Sequence, residues 1–97
     1  MRRNDVIRTL KQHRDELTQQ YGVQSLALFG SVARDQATDS SDIDLLVEFN
    51  RPTGLFGLFA LQDRLESLLG CPVDLGTPNS LKPRLRSTVQ AEKIYVV

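Results

Sequence analysis

The sequence predicts an α/β fold of the α+β kind, a mixed β-sheet flanked by helices, and three observations predict it. Long segments with apolar residues at helical spacing stand beside short β-prone apolar runs. The two kinds alternate, in the order α-β-(short α)-β-α-β-α-β. Glycines stand where helices end, at Gly22 and Gly70, as a left-handed terminal residue requires.

In the first helix, "NDVIRTLKQHRDELTQQYG", Val6, Ile7, Leu10, Leu17 and Tyr21 recur at helical spacing and Asn4 is placed to cap the start. "VQSLALFGS" and "SDIDLLVEF" read as strands. Between them, "SVARDQATDSS" opens with a helix-capable turn and closes on turn residues. After "NRPTG", Leu58, Leu61, Leu65, Leu68 and Leu69 form the stripe of a second long helix. "PVDLGT" is a third strand. Asn79 or Ser80 can cap a last helix striped by Leu81, Leu85 and Val89, with Pro83 tolerated in its first turn, and "KIYVV" is a terminal strand or an extended docking tail.

Ninety-seven residues without a linker or repeat give one expected domain over 1–97, and any large substrate must meet an open site. Twelve basic against twelve acidic side chains leave no net charge, so a long nucleic-acid footprint is not expected. One cysteine and one histidine exclude a disulfide framework and a Cys/His zinc site. The charged N-terminus has no signal-like apolar core and no run approaches membrane-spanning length, which gives the expectation of a reduced, cytoplasmic protein without a membrane partner.

The chemistry concentrates in "FGSVARDQATDSSDIDLLVEF". Side chains alternate across a strand, so Asp42 and Asp44 project from one face while Ile43, Leu45 and Val47 project from the other. In the third strand Asp74 interrupts Val73 and Leu75 at the same phase, and joins that face if the strand pairs beside the second. Singly, each aspartate reads as a solvated residue at a strand entry or a wet edge. Together they form a like-charged cluster that needs protons or cations, and oxygen-seeking Mg²⁺ suits it. Gly30 allows close backbone approach to an anion, Ser31 adds a hydroxyl, and Arg34, one turn on, can reach a phosphate with its guanidinium. Neither a Walker loop nor a dinucleotide fingerprint is present.

Other residues receive structural readings. His13 is a solvated or partly buried side chain and Cys71 a small packed one. Tyr21 and Tyr95 belong to core or rim. Lys82, Arg84 and Arg86 form a basic stretch read as a solvated helix face, with contact to a nucleotide or partner as the alternative. "GLFGLFAL" is read as core, although it is apolar on nearly all sides and part of it is free to meet a partner.

"GS", ten residues, then "DID" matches the GS-x10-D-x-D signature of the DNA polymerase beta-like nucleotidyltransferase superfamily. With "ALFGSVAR", "PVDLGTPNSLKPRLR" and the "KIYVV" end, the chain resembles the minimal nucleotidyltransferase (MNT) branch over most of its length. The resemblance implies that Asp42, Asp44 and Asp74 are catalytic and hold Mg²⁺, and that Gly30, Ser31 and Arg34 bind the nucleotide. It further implies transfer of AMP from ATP to a hydroxyl, with tyrosine of a partner HEPN-domain ribonuclease toxin as acceptor and the chain itself as antitoxin. Two alternatives stand beside it: an antitoxin that neutralises by contact alone, and a small-molecule nucleotidyltransferase completed by a second subunit. One departure from the pattern is Asp35, where the family often has Gly.

Overall fold

The computed structural model describes residues 2–36, 42–81 and 83–97. The turn expected within 37–41, Lys82 and the side chain of Leu85 lie outside the described set. The chain runs α1 (Arg3–Gln12), α2 (Arg14–Tyr21), β1 (Val23–Phe29), α3 (Gly30–Ala33), β2 (Ile43–Phe49), α4 (Leu55–Leu69), β3 (Val73–Gly76), a 3-10 turn (Pro78–Ser80), α5 (Pro83–Glu92) and β4 (Ile94–Tyr95). The sheet has the order β3-β2-β1-β4. β1 is antiparallel to both β2 and β4, whereas β2 and β3 are parallel, joined by the crossover helix α4 that parallel neighbours require.

The sheet divides the apolar residues by strand phase. Val23, Leu26 and Leu28 of β1, with Ile43, Leu45 and Val47 of β2, bury one face beneath Val6, Leu10, Leu17, Leu61, Leu65 and Leu69 of the helices. Val23 and Leu26 are three apart and still share that face, because β1 shifts register between Val23 and Ser25. Ala27 and Leu46 point the other way and are covered by Val89 of α5. Asp44 shares the phase of Leu46 and so lies on this second face.

Two expected elements differ in detail. The first helix is two helices: His13 leaves helical geometry at φ −105°, ψ 14°, and its Nδ1 lies 2.9 Å from the Thr9 carbonyl oxygen, a local side-chain bond that competes with helix continuation. The start is Arg3, with Arg2 extended and no side-chain cap, so Asn4 does not serve as one. Residues 78–80 form a 3-10 turn before α5, and Ser80 caps that turn, its Oγ accepting from the Thr77 N–H at 3.0 Å. "KIYVV" does supply a terminal strand, paired with Ala27 and Leu28. Among the described residues no helix is long and apolar enough to cross a membrane.

Candidate active site

The site is built where β1 ends beside β2. Phe29, the last residue of β1, stands directly across from Asp44, and the chain then turns at Gly30 with φ +76°. A side chain at position 30 is excluded twice: that φ strains any L residue, and a Cβ there would fall into Asp44 Oδ2 and within 3.0 Å of its Cγ. Glycine thus lets the backbone lie against the carboxylate. α3 follows at once, pinned by buried Val32 and Ala33, and leaves Ser31 half-buried.

The turn closes through Gln36, whose N–H donates to the Ser31 carbonyl at 2.8 Å. Asp35 adopts φ +59° and is the non-glycine residue with positive φ among those described. The backbone there demands a left-handed residue, which Asp tolerates better than most and Gly tolerates freely. We expect Asp35→Gly to stabilise the chain by about 0.5 kcal/mol and the β-branched Asp35→Val to destabilise it by about 1–2 kcal/mol. Urea melts of the two variants check this; equal midpoints would contradict it.

Parallel pairing of β3 on β2 sets Asp74 directly beside Asp44. Asp42 precedes β2 by one residue at the same phase. The conditional expectation for Asp74 is therefore met, and the three aspartates lie on one side of the sheet, Asp44 half-buried and Asp42 and Asp74 exposed. Burial, then the charges of Asp74 and Asp42, push the Asp44 carboxyl up to about 6, against an opposing pull from Arg34.

β3 is an edge strand, and α4 fixes it from outside. Gln62 Nε2 donates to the Val73 carbonyl and the Val73 N–H donates to Glu66 Oε2, both at 2.9 Å. These two side chains satisfy the backbone group next to Asp74 and cover the edge, a role their sequence positions did not reveal. Further back, Arg64 of α4 holds Glu16 of α2 through paired hydrogen bonds, one of 2.9 Å, tying the helical layer together.

Arg34 is exposed and engaged with side chains: its Nη1 donates to Glu92 Oε2 of α5 at 2.9 Å and its Nε to Gln36 Oε1 at 3.3 Å. Its charge still acts on Asp44. Glu92, 58 residues along the chain, is a neighbour of the site that the sequence did not point to.

The donor set is of the kind hard cations prefer, carboxylate oxygens with excess negative charge and a close backbone turn beside them. Among the described residues, no three His, Cys, Asp or Glu side chains stand close enough to form a ready metal cage. The aspartates are adjacent without converging. His13 and Cys71 lie elsewhere in structural roles; burial raises the Cys71 thiol, which is held toward the Leu69 carbonyl at 3.6 Å.

A family model of the nucleotidyltransferase domain matches residues 10–96. The chain belongs to the nucleotidyltransferase domain family. A relative from Thermococcus cleftensis, the protein adenylyltransferase MntA, is 40% identical over 87 residues, covering 90% of this chain and 88% of its own. A solved structure described as a minimal nucleotidyltransferase superposes with TM-score 0.80 at 37% identity, over 97% of this chain and 95% of the other. A toxin–antitoxin structure with AMP-PNP superposes with TM-score 0.71 at 26% identity, over 100% of this chain and 73% of the other. The chain is thus a nucleotidyltransferase of the minimal branch, and the α+β fold expected from its pattern is the fold of that branch.

Proposed function

We propose that this nucleotidyltransferase is an antitoxin that transfers AMP from Mg·ATP to a hydroxyl of a partner HEPN-domain toxin, with tyrosine as acceptor. The observation that carries the reading is the register of Asp44 beside Asp74 with the Gly30 backbone packed on the Asp44 carboxylate. The MntA relative supports protein as the acceptor class, and the toxin–antitoxin structure with AMP-PNP supports ATP and a partner.

Asp42, Asp44 and Asp74 are the residues that would hold Mg²⁺. When bound, the ion supplies charge neutralisation of the polyphosphate and polarisation at phosphorus. The protein's own share is positioning. Gly30 keeps the backbone turn against the Asp44 carboxylate, Ser31 donates a hydroxyl hydrogen bond to the triphosphate, and Arg34 exchanges Glu92 for a phosphate oxygen. Asp74, exposed on the edge strand, faces the side open to a large acceptor and accepts its hydroxyl proton. The hydroxyl oxygen attacks the α-phosphorus as the bond to the bridging β-phosphate oxygen breaks, so AMP passes to the acceptor and pyrophosphate leaves, with no covalent enzyme intermediate.

Contact-only neutralisation has one observation in its favour. The first turns of α4 expose Leu55 (68%), Phe56 (92%) and Phe59 (54%), so this end of "GLFGLFAL" is surface, while Leu61 and Leu65 are core. Of the expected stripe, Leu61, Leu65 and Leu69 are buried and Leu58 and Leu68 half-buried, and the reading of "GLFGLFAL" as core fails at Leu55, Phe56 and Phe59.

Ligand linkage tests the site itself. Mg²⁺ with ATP is expected to raise the thermal midpoint more than either alone, by several degrees at saturation, because the pair binds only the folded carboxylate cluster. An unchanged midpoint with saturating Mg·ATP would refute the site as assigned.

A further inference from the structure

The exposed end of α4 has a shape and a charge pattern that the nucleotide site does not use. Leu55, Phe56 and Phe59 lie three and four residues apart, on one side of the helix, and stand out as an apolar ridge. A hollow lies on either flank. One, of about 330 Å³, is walled by Tyr21, Pro52 and Thr53 and by the small Gly57 and Ala60. The other, of about 410 Å³, is walled by Phe49, Leu55, Leu58 and Thr77. From Pro52 to Gln62 the sequence holds no charged side chain, although 25% of the chain is charged. Opposite charges bracket this neutral run: Arg51 stands at one end and Asp63, one turn past Phe59 on the same side of α4, at the other, both exposed.

We propose that this end of α4 is an interface with a second copy of the chain, the two helices packed antiparallel about a two-fold axis between Phe56 and Phe59. A two-fold axis sets a surface against itself, so a patch suited to it carries both knob and hole and keeps charge away from the axis. Here the phenylalanine ridge is the knob, the hollows beside it are the holes, and the centre is neutral. Antiparallel packing brings Arg51 of each copy to the end of the other that carries Asp63, which turns the bracket into two ion pairs. A partner of unrelated sequence would require none of this self-complementarity. The area agrees as well. Covering Leu55, Phe56 and Phe59 removes about 400 Å² from water on each copy, half of the roughly 800 Å² per partner that a stable interface buries, and leaves the other half to the hollow walls, Arg51 and Asp63. Because α4 packs Leu61, Leu65 and Leu69 on the first face of the sheet and Asp44 lies on the second, such a dimer leaves both carboxylate sites open.

Sedimentation equilibrium of the full chain over a concentration series is expected to approach twice the 10.9 kDa monomer mass. Phe56→Asp places two charges at the axis and should raise the dissociation constant at least about 100-fold. Asp63→Arg sets like charges together at both ends and should raise it about tenfold, whereas Arg51→Asp/Asp63→Arg should return it to within about threefold of the parent. Circular dichroism shows whether each variant folds, and the charge swap decides alone should Phe56→Asp not fold. A chain monomeric at every concentration would overturn the inference, as would a dimer indifferent to Phe56→Asp or one that the charge swap fails to restore. A monomeric chain that loses its hold on the protein encoded beside it through Phe56→Asp would also overturn it, and would assign the patch to that partner.

Discussion

Asp44→Asn is expected to abolish nucleotidyl transfer, by at least about 10³-fold, while making the chain without cations more stable near neutral pH. The two effects have one origin. Asp44 is held beside Asp74, partly buried, with a carboxyl pushed up to about 6 from the ordinary 3.8, first by burial and then by its acidic neighbours. Between those two values the folded chain binds more protons than the unfolded chain, so folding stability falls as pH rises and is lowest once Asp44 is ionised above pH 6. An amide at 44 removes that penalty. The variant should therefore melt a few degrees above the parent at pH 8, and the gap should close toward pH 4. Mg·ATP should reverse the order at pH 8, because only the parent offers the cation a carboxylate there. Thermal melts at pH 4, 6 and 8, with and without Mg·ATP, check the whole pattern. Loss of transfer accompanied by a lower midpoint at pH 8 without cation would show Asp44 to be a structural residue.

Gly30→Ala should be the most damaging single methyl group in the chain. The positive φ alone costs about 1–2 kcal/mol for an L residue, and the added carbon meets the Asp44 carboxylate, which must move. A carboxylate displaced by about 1 Å is expected to lower transfer about 10²-fold. Gly70 serves as the comparison: its φ is a similar +70°, but a Cβ there meets nothing within 4 Å. Gly70→Ala should lose stability to a similar backbone strain and keep its activity. Equal activity losses in the two variants would show that backbone strain, and not the approach to Asp44, is what matters at position 30.

Much of this arrangement was legible from local pattern. Strand phase placed Asp42 and Asp44 on one face and Ile43, Leu45 and Val47 in the core, and both the core assignment and the Gly30 turn appear as expected. Phase also made Asp74 a candidate, but only the pairing of β3 on β2 could bring it beside Asp44, and pairing is a long-range choice that no local window contains. The same limit hid Glu92 from Arg34 and hid Gln62 and Glu66 from Val73, since each contact joins segments separated by a turn, a helix or most of the chain. The break at His13 escaped because Leu10 and Leu17 keep helical spacing across it, so the apolar stripe reads as continuous although the backbone is not. Asp35 was marked as a departure from the family pattern, and its left-handed φ supplies the reason glycine suits that position. In α4 the spacing found the buried Leu61, Leu65 and Leu69, but the same spacing argument counted Phe56 as core and it is 92% exposed, because a helix apolar on nearly all sides does not say which side the sheet covers.

The most direct test of the proposed transfer uses ATP labelled at the α-phosphate with Mg²⁺, the purified chain, and the protein encoded beside it, run next to Asp42→Asn/Asp44→Asn. The account predicts label on the neighbouring protein, placed on tyrosine by peptide mapping, and none with the double variant. A neighbour that is bound and silenced by both forms, with no label on either, would contradict it and assign neutralisation to contact through surfaces such as the exposed end of α4.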